Sequence, residues 1–309
     1  MSYISYIDYI MIVTILLNIK SKIKKSIFYT KLQIEDFFKK RRIRRKVFKI
    51  ATGTIDGILQ ENDIVVSVTS YGKRVRTMLP YMLYSVCTQE QLPHKVVVYL
   101  DSNNWDDKKL PKILNEYKRI GVEFYYCDDL RSYKKLIPAL QMFPMNPILV
   151  FDDDFYYNNQ YVKWMNNAYN KSNKKTVIGS WGCTPEKTDG IYIPYNQWKD
   201  CTISSSHSSI AFYSGYGTLF PPQIFDEEIK KSEIFLKLCP FADDIWFWGM
   251  MERQNISRAY LSTFGYGIHC PINRIYAYKV NKDDCLTVLN VVLEHNNTQC
   301  AELIKYYNL

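Results

Sequence analysis

Pro147-Ile148-Leu149-Val150-Phe151-Asp152-Asp153-Asp154 runs an apolar stretch straight into three carboxylates. No polar alternation marks a wet face, so the run reads as a buried, parallel strand. Side chains alternate between the faces of a strand, which points Asp152 and Asp154 one way and Asp153 the other. Two carboxylates at i and i+2 can share one hard divalent cation, Mg²⁺ or Mn²⁺, whose remaining positions go to water and substrate phosphates. The stretch therefore places a candidate metal site at the carboxyl end of a strand, where open α/β sheets bind ligands. An acidic loop that only solvates a strand end has the same sequence.

Upstream of this strand the pattern repeats. Asp63 to Ser70 reads as a first buried strand, followed by a turn at Tyr71-Gly72-Lys73-Arg74 and helical spacing over 76–88. Lys95 to Leu100 forms a second strand ending at Asp101, 108–120 a helix, and Val122 to Tyr126 a third strand ending at Cys127-Asp128-Asp129. Residues 132–142 read as a helix leading into the opening strand. The order β-α-β-α-β-α-β predicts a doubly wound, mostly parallel α/β sheet. Acids at three strand ends, Asp101, Asp128 and Asp152, suit a nucleotide and metal crevice. No GxGxxG or GxxxxGK[ST] follows the first strand, so neither a dinucleotide-binding domain nor a P-loop is supported.

The later half is more irregular and holds two stretches of interest. Ser214-Gly215-Tyr216-Gly217-Thr218-Leu219-Phe220-Pro221-Pro222 sets two glycines where backbone can approach a ligand, or where a strand kinks. Cys239 to Trp248 sets Asp243 and Asp244 just before an apolar helical run, where acids also serve as caps.

The chain has 309 residues, 47% of them hydrophobic and 15% aromatic, enough for one large α/β domain or two modest ones. Its charge is uneven: residues 20–49 hold thirteen Lys or Arg against Glu35 and Asp36, a local +11 in a chain of net +9. The remainder is thus slightly acidic, which argues against a nucleic-acid-binding body. Residues 9–19 are strongly apolar but short for a membrane span, and neither a basic region before them nor a small-residue cleavage site after them marks a signal peptide. Two arrangements fit residues 1–49: a marginal single anchor, or a helix lying at the interface with its basic block on anionic lipid. Either puts the body at the cytoplasmic face of the membrane; a solubilising or nucleic-acid-binding arm is the plainer alternative. Eight scattered cysteines without CxxC or zinc spacing fit a reducing compartment. Ala51 to Gly57 reads as a linker, dividing a helical, basic extension (1–60) from a body (61–309) with halves at 61–180 and 181–309.

Five segments together resemble bacterial glycosyltransferases of the GT-A fold, of the kind encoded with capsule and lipopolysaccharide clusters. They are Val66 to Arg74, Asp129 to Lys135, Phe151 to Asp154, Gly215 to Pro222 and Ala242 to Trp246, covering about residues 63–255. The resemblance implies a nucleotide-sugar donor, a divalent metal (Mn²⁺ or Mg²⁺) and a glycan or lipid-linked acceptor bound by the second half. By that analogy Asp152 and Asp154 match the DxD positions that hold metal against the donor diphosphate. Thr69 and Tyr71 match positions lining the nucleotide, and Asp101, Asp128 or Asp129 would bind base or ribose hydroxyls. Arg74, Lys134 and Lys135 would add positive charge near the diphosphate, with Asp153 on the same donor side. Gly215, Gly217 and Trp246 fall on the acceptor side. Asp244, or else Asp243, matches an acid that faces the acceptor and acts as base in an inverting reaction. His269 corresponds to a carboxy-terminal histidine that some such families use as a further metal ligand, although a loop or core histidine accounts for it as simply. Two other classes remain: a metal-dependent nucleotidyltransferase or phosphohydrolase, and a non-catalytic carbohydrate-binding protein.

Overall fold

The computed structural model describes residues 6–52, 62–201, 209–261, 269–272 and 295–309. Its centre is a seven-stranded sheet. Strands β1 (Val65–Thr69), β2 (Lys95–Asp101), β3 (Val122–Cys127) and β4 (Ile148–Phe151) are joined by Val177–Gly179, Thr218–Phe220 and Arg258–Tyr260. Across the sheet the order is 258–260, 177–179, 218–220, β4, β1, β2, β3. Only 218–220 runs antiparallel to its neighbours. The mostly parallel α/β architecture expected from the strand-helix alternation is therefore present.

Alternation along the strands sorts side chains into two cores. Val66, Val68, Val96, Val98, Leu149 and Phe151 face one layer, and Val65, Val97, Tyr99, Ile148 and Val150 face the other. Both faces are covered, which is why these strands are apolar without interruption. The first layer contains helices Leu79–Val86, Lys112–Arg119 and Tyr161–Lys171; the second contains Ile137–Met142, Ser232–Leu238, Asp243–Arg253 and His295–Tyr307. Pro80 and Pro138 sit in the first turns of their helices, where a missing N–H removes no internal bond. The expected single helix over 132–142 is instead a 3₁₀ turn, Arg131–Lys135, followed by the helix from Ile137. Pro138 restricts its preceding residue and starts a new helical segment there.

The basic extension is one long helix, α1 (Tyr6–Thr52). Ile43 and Val47 are buried in the same core layer as β1 and β2, so α1 shares its core with the body. Beyond Thr52, the expected linker lies outside the described residues. Strand 218–220 inserts between β4 and 177–179, so the two expected halves share one sheet. Of the eight cysteines, the seven in described residues form no disulfide; Cys285 lies outside them.

Candidate functional site

Strand order locates the crevice. From β1 the chain moves outward to β2 and β3, then returns to place β4 on the other side of β1. The carboxyl ends of β1 and β4 therefore flank a topological switch point. From β1 come Ser70 and Arg74, and from β4 come Asp152, Asp153 and Asp154. Strand β4 ends at Phe151, so the three acids occupy the turn between it and the short strand Phe155–Tyr157.

That turn overrides the expected alternation. Asp153 is buried and accepts hydrogen bonds from Ser70 Oγ and from the Arg74 guanidinium. The same Arg74 Nη2 reaches Asp154 Oδ2 at 2.8 Å, so Asp153 and Asp154 share a cation instead of facing opposite ways. Asp152 turns elsewhere: its Oδ1 lies 3.1 Å from Lys135 Nζ. Lys135 also lies 3.0 Å from Asp243 Oδ2. One buried ammonium thus joins the acids after β4 to the acid pair that opens helix Asp243–Arg253, about ninety residues later.

The second pair divides by partner. Asp243 is buried against Lys135, whereas Asp244 Oδ1 accepts hydrogen bonds from Ser214 N at 2.9 Å and from Ser214 Oγ. Ser214 belongs to the turn Ser214–Tyr216, and the next residue fixes the turn to β4: Gly215 O accepts from Asp152 N at 2.9 Å. A side chain at Gly215 would overlap the Asp152 carboxylate, so glycine is required for this approach. Gly217 has φ +107°, beyond the range of ordinary residues, and abuts the Tyr161 hydroxyl.

Five carboxylates and two cations make this a site of excess negative charge. Burial first, opposed by Arg74 and reinforced by Asp153 and Asp152, raises Asp154 to about 7. Burial and then Asp243 raise Asp244 to about 7, against the pull of Lys135 and Ser214. Burial also raises Asp153 despite Arg74. Burial alone would lower Lys135; Asp152, Asp243 and Asp244 outweigh it and hold the ammonium above its ordinary range. Acids pushed toward neutrality at a strand end mark a functional site.

The residues fit a hard divalent cation. Asp154 Oδ1 is buried without a hydrogen-bond partner, and the Asp152 side chain remains 37% exposed. Among the described residues no cluster of three or more His, Cys, Asp or Glu forms a complete cage. A cation held by two carboxylates and completed by substrate phosphates needs no such cage. His269 lies on a strand whose backbone pairs with Tyr157, next to the acidic turn; its side chain is outside the described residues.

The other expected residues are placed as follows. Thr69 ends β1 and donates to Tyr99 O at 2.8 Å, and Tyr71 is exposed with the Arg74 guanidinium 5.2 Å from its ring centroid. Asp101 is buried and holds its own turn through Asn103 N and Asn104 Nδ2. Asp128 and Asp129 are exposed after β3, two strands or about 10 Å from β1. Lys134 is buried with its ammonium on Asp129, which it holds below the ordinary carboxylate range against the opposing effect of burial. Trp246 is a correction: it is fully buried, donates to Ile229 O at 3.1 Å, and has no face to offer an acceptor. Its helix is buried all round from Ile245 to Met251, so none of these side chains reaches an open face.

An exposed aromatic stands near the two glycines instead. Trp181 is 42% exposed, and its ring lies 5.3 Å from that of Tyr216, between Gly215 and Gly217. Burial and the charges of Asp152, Asp154 and Asp244 push the Tyr216 hydroxyl up to about 12, and the residues just before it, Ser214 and Gly215, bond to Asp244 and Asp152. Ser70, Ser214 and Tyr157 complete the site: the Tyr157 hydroxyl accepts from Asp152 N at 2.9 Å and donates to Gly215 O at 2.5 Å; of these Ser214 has a sequence signal in the adjoining glycines, whereas Trp181 sits in an irregular segment with none.

No family model and no curated protein matches this chain. Among solved structures, the chain is similar to those of S. aureus TarS. TarS 1-349 in complex with UDP is 18% identical with a TM-score of 0.37, over 65% of this chain and 58% of that one. A second structure of TarS 1-349 is 16% identical with a TM-score of 0.40, over 78% of this chain and 70% of that one. A longer TarS structure is 19% identical with a TM-score of 0.38, and the match spans 35% of its length.

Proposed function

We propose that this chain is a metal-dependent glycosyltransferase that moves a sugar from a nucleotide-sugar donor to a hydroxyl of a glycan or lipid-linked acceptor, in surface polysaccharide synthesis. One observation carries the reading: Lys135 joins Asp152 to Asp243, so the two acid groups form one crevice at the switch point. The TarS likeness is too distant to carry it.

Asp152 and Asp154 are the residues that would hold the divalent cation. When bound, that cation offsets the charge that develops on a nucleoside diphosphate leaving group. Arg74 is fixed to Asp153 and Asp154 and supplies positive charge at the same end of β4. Asp153, already engaged by Ser70 and Arg74, sets that guanidinium in place. Asp244 is the base: Ser214 orients its carboxylate, and a proton affinity near neutrality suits removal of an acceptor hydroxyl proton. Asp243 is neutralised by Lys135 and positions it. Trp181 and Tyr216 offer ring faces on which an acceptor sugar stacks. Nucleotidyl transfer or phosphate hydrolysis would use the acids after β4 but gives no role to Asp244 or the aromatic pair.

The test is release of nucleoside diphosphate from a panel of nucleotide sugars with Mn²⁺ or Mg²⁺. Asp152→Ala and Asp154→Ala abolish release, and Asp244→Asn lowers the transfer rate by about 10²–10⁴ while donor binding persists. Full release by both alanine variants in the presence of a chelator would sink the reading.

A further inference from the structure

Helix α1 has two unlike sides. Leu32, Ile43 and Val47 are buried against the body. Ile23, Ile27, Ile34, Phe37 and Phe38 recur at helical spacing on the side opposite, and each is between 52% and 65% exposed. Five large apolar side chains in one outward stripe exceed the scatter found on a soluble surface. The stripe also lies inside the most basic segment of the chain. Exposed Lys24, Lys31 and Arg42 flank it, and exposed Arg41 and Arg45 continue it beyond Phe38.

We propose that this outward face of α1 is a membrane-docking surface for anionic lipid, with the helix lying in the interface plane. Charge complementarity selects the occupant. The segment 20–49 carries a net +11, and the rest of the chain is slightly acidic, so the attraction to an anionic surface is local to this helix. A nucleic acid meets the charge but offers no apolar interior to Ile27 or Phe38. A second copy of the same helix would bring two strongly basic faces together. A bilayer of anionic lipid satisfies both features, taking the apolar stripe below its headgroups and the lysines and arginines among them. A cleft of about 540 Å³ opens beside the stripe, between Ile34, Glu35, Asp36, Phe38, Lys39 and Arg42 of α1 and Cys270-Pro271.

The arrangement bears on the crevice. The Lys39 ammonium lies 3.5 Å from the ring centroid of Tyr156, two residues along the chain from Asp154. The docking helix is thus packed beside the strand that follows the acidic turn, and an acceptor carried in the membrane arrives on that side. Membrane docking itself stands independently of the reaction proposed above.

The experiment is co-sedimentation of the full chain with phosphatidylcholine vesicles containing phosphatidylglycerol, against pure phosphatidylcholine vesicles. The chain binds the anionic vesicles, and added salt weakens the binding. Ile27→Ser with Phe38→Ser lowers the partition coefficient at least about tenfold. Arg41→Gln with Arg45→Gln lowers it about thirtyfold. All four side chains are exposed, so circular dichroism and vesicle-free nucleoside diphosphate release remain those of the parent; failure of release in the parent itself bears on the proposed reaction and leaves this binding result standing. Equal binding to neutral vesicles, no binding to either, or parent-like binding by the serine variant overturns the proposal. So does a dimer seen by sedimentation velocity that the serine variant loses while vesicles are ignored.

Discussion

Replacing Lys135 with Met tests whether the two acid groups are one site. Lys135 is buried, and its ammonium lies 3.1 Å from Asp152 and 3.0 Å from Asp243. Methionine keeps most of the volume and removes the charge. Breaking a buried pair from one side costs about 3–5 kcal/mol, because the remaining charge is stranded. The two partners are not equally stranded. The Asp152 side chain is 37% exposed and can rehydrate, whereas that of Asp243 is 8% exposed and cannot. The loss therefore falls near the lower end, about 3 kcal/mol, and most of it belongs to Asp243. Urea denaturation followed by tryptophan fluorescence measures it. Adding Asp243→Asn to Lys135→Met removes the stranded charge and recovers a large part of the loss, about 1–2 kcal/mol. A loss below about 1 kcal/mol, the range of exposed ion pairs, refutes the argument. A double variant no more stable than the single one refutes it as well.

Three further outcomes follow from the same geometry. In metal-free buffer, Asp154 and Asp244 keep protons in the folded state up to about pH 7 that the unfolded chain releases near pH 4, so stability falls as pH rises through that window and levels off above it; urea midpoints that rise from about pH 5 to about pH 7 contradict this, and Mg²⁺ added above the window restores stability. Asp129 and Glu123, held below the ordinary carboxylate range, act in the opposite sense and only at the acid foot of the window. Gly215→Ala pushes a methyl group into the Asp152 carboxylate and costs about 1–3 kcal/mol with loss of diphosphate release, and a variant with parent-like stability and turnover rules out the close approach. Trp181→Ala raises the acceptor KM and leaves donor hydrolysis intact, whereas Trp246→Ala lowers stability by about 3–5 kcal/mol; a reversal of these two readouts exchanges their assigned roles.

The parallel sheet was legible because each of its first four strands is an apolar run long enough to be recognised and is followed by helical spacing. Two features escaped. Ser214 to Pro222 reads either as a backbone approach to a ligand or as a glycine-kinked strand, and the pattern does not show that Thr218-Leu219-Phe220 pairs with β4 and completes the sheet; three residues carry too little periodicity to declare a strand, and pairing with a distant neighbour is a tertiary property. Ile43 and Val47 were hidden by thirteen surrounding basic residues, and the exposed stripe from Ile23 to Phe38 was hidden with them. Net charge describes a segment as a whole, whereas burial is decided residue by residue around the helix.

The acids show the limit of local pattern most clearly. Strand alternation assigns Asp152 and Asp154 to one face only if β4 continues through them, and it stops at Phe151. In the turn that follows, partners drawn from other segments decide the orientation of each carboxylate. Ser70 and Arg74, from the end of β1, take Asp153 inward, and the same arginine draws Asp154 beside it. Lys135, from the turn before β4, takes Asp152 toward the later acid pair. None of these partners is within ten residues of the triplet, and each carries a charge or hydroxyl that a sequence reading assigns as readily to solvent or to a ligand. What divides Asp152 from its neighbours is therefore the switch point itself, which brings the ends of β1 and β4 together and leaves one carboxylate to face Lys135 and the helix opened by Asp243.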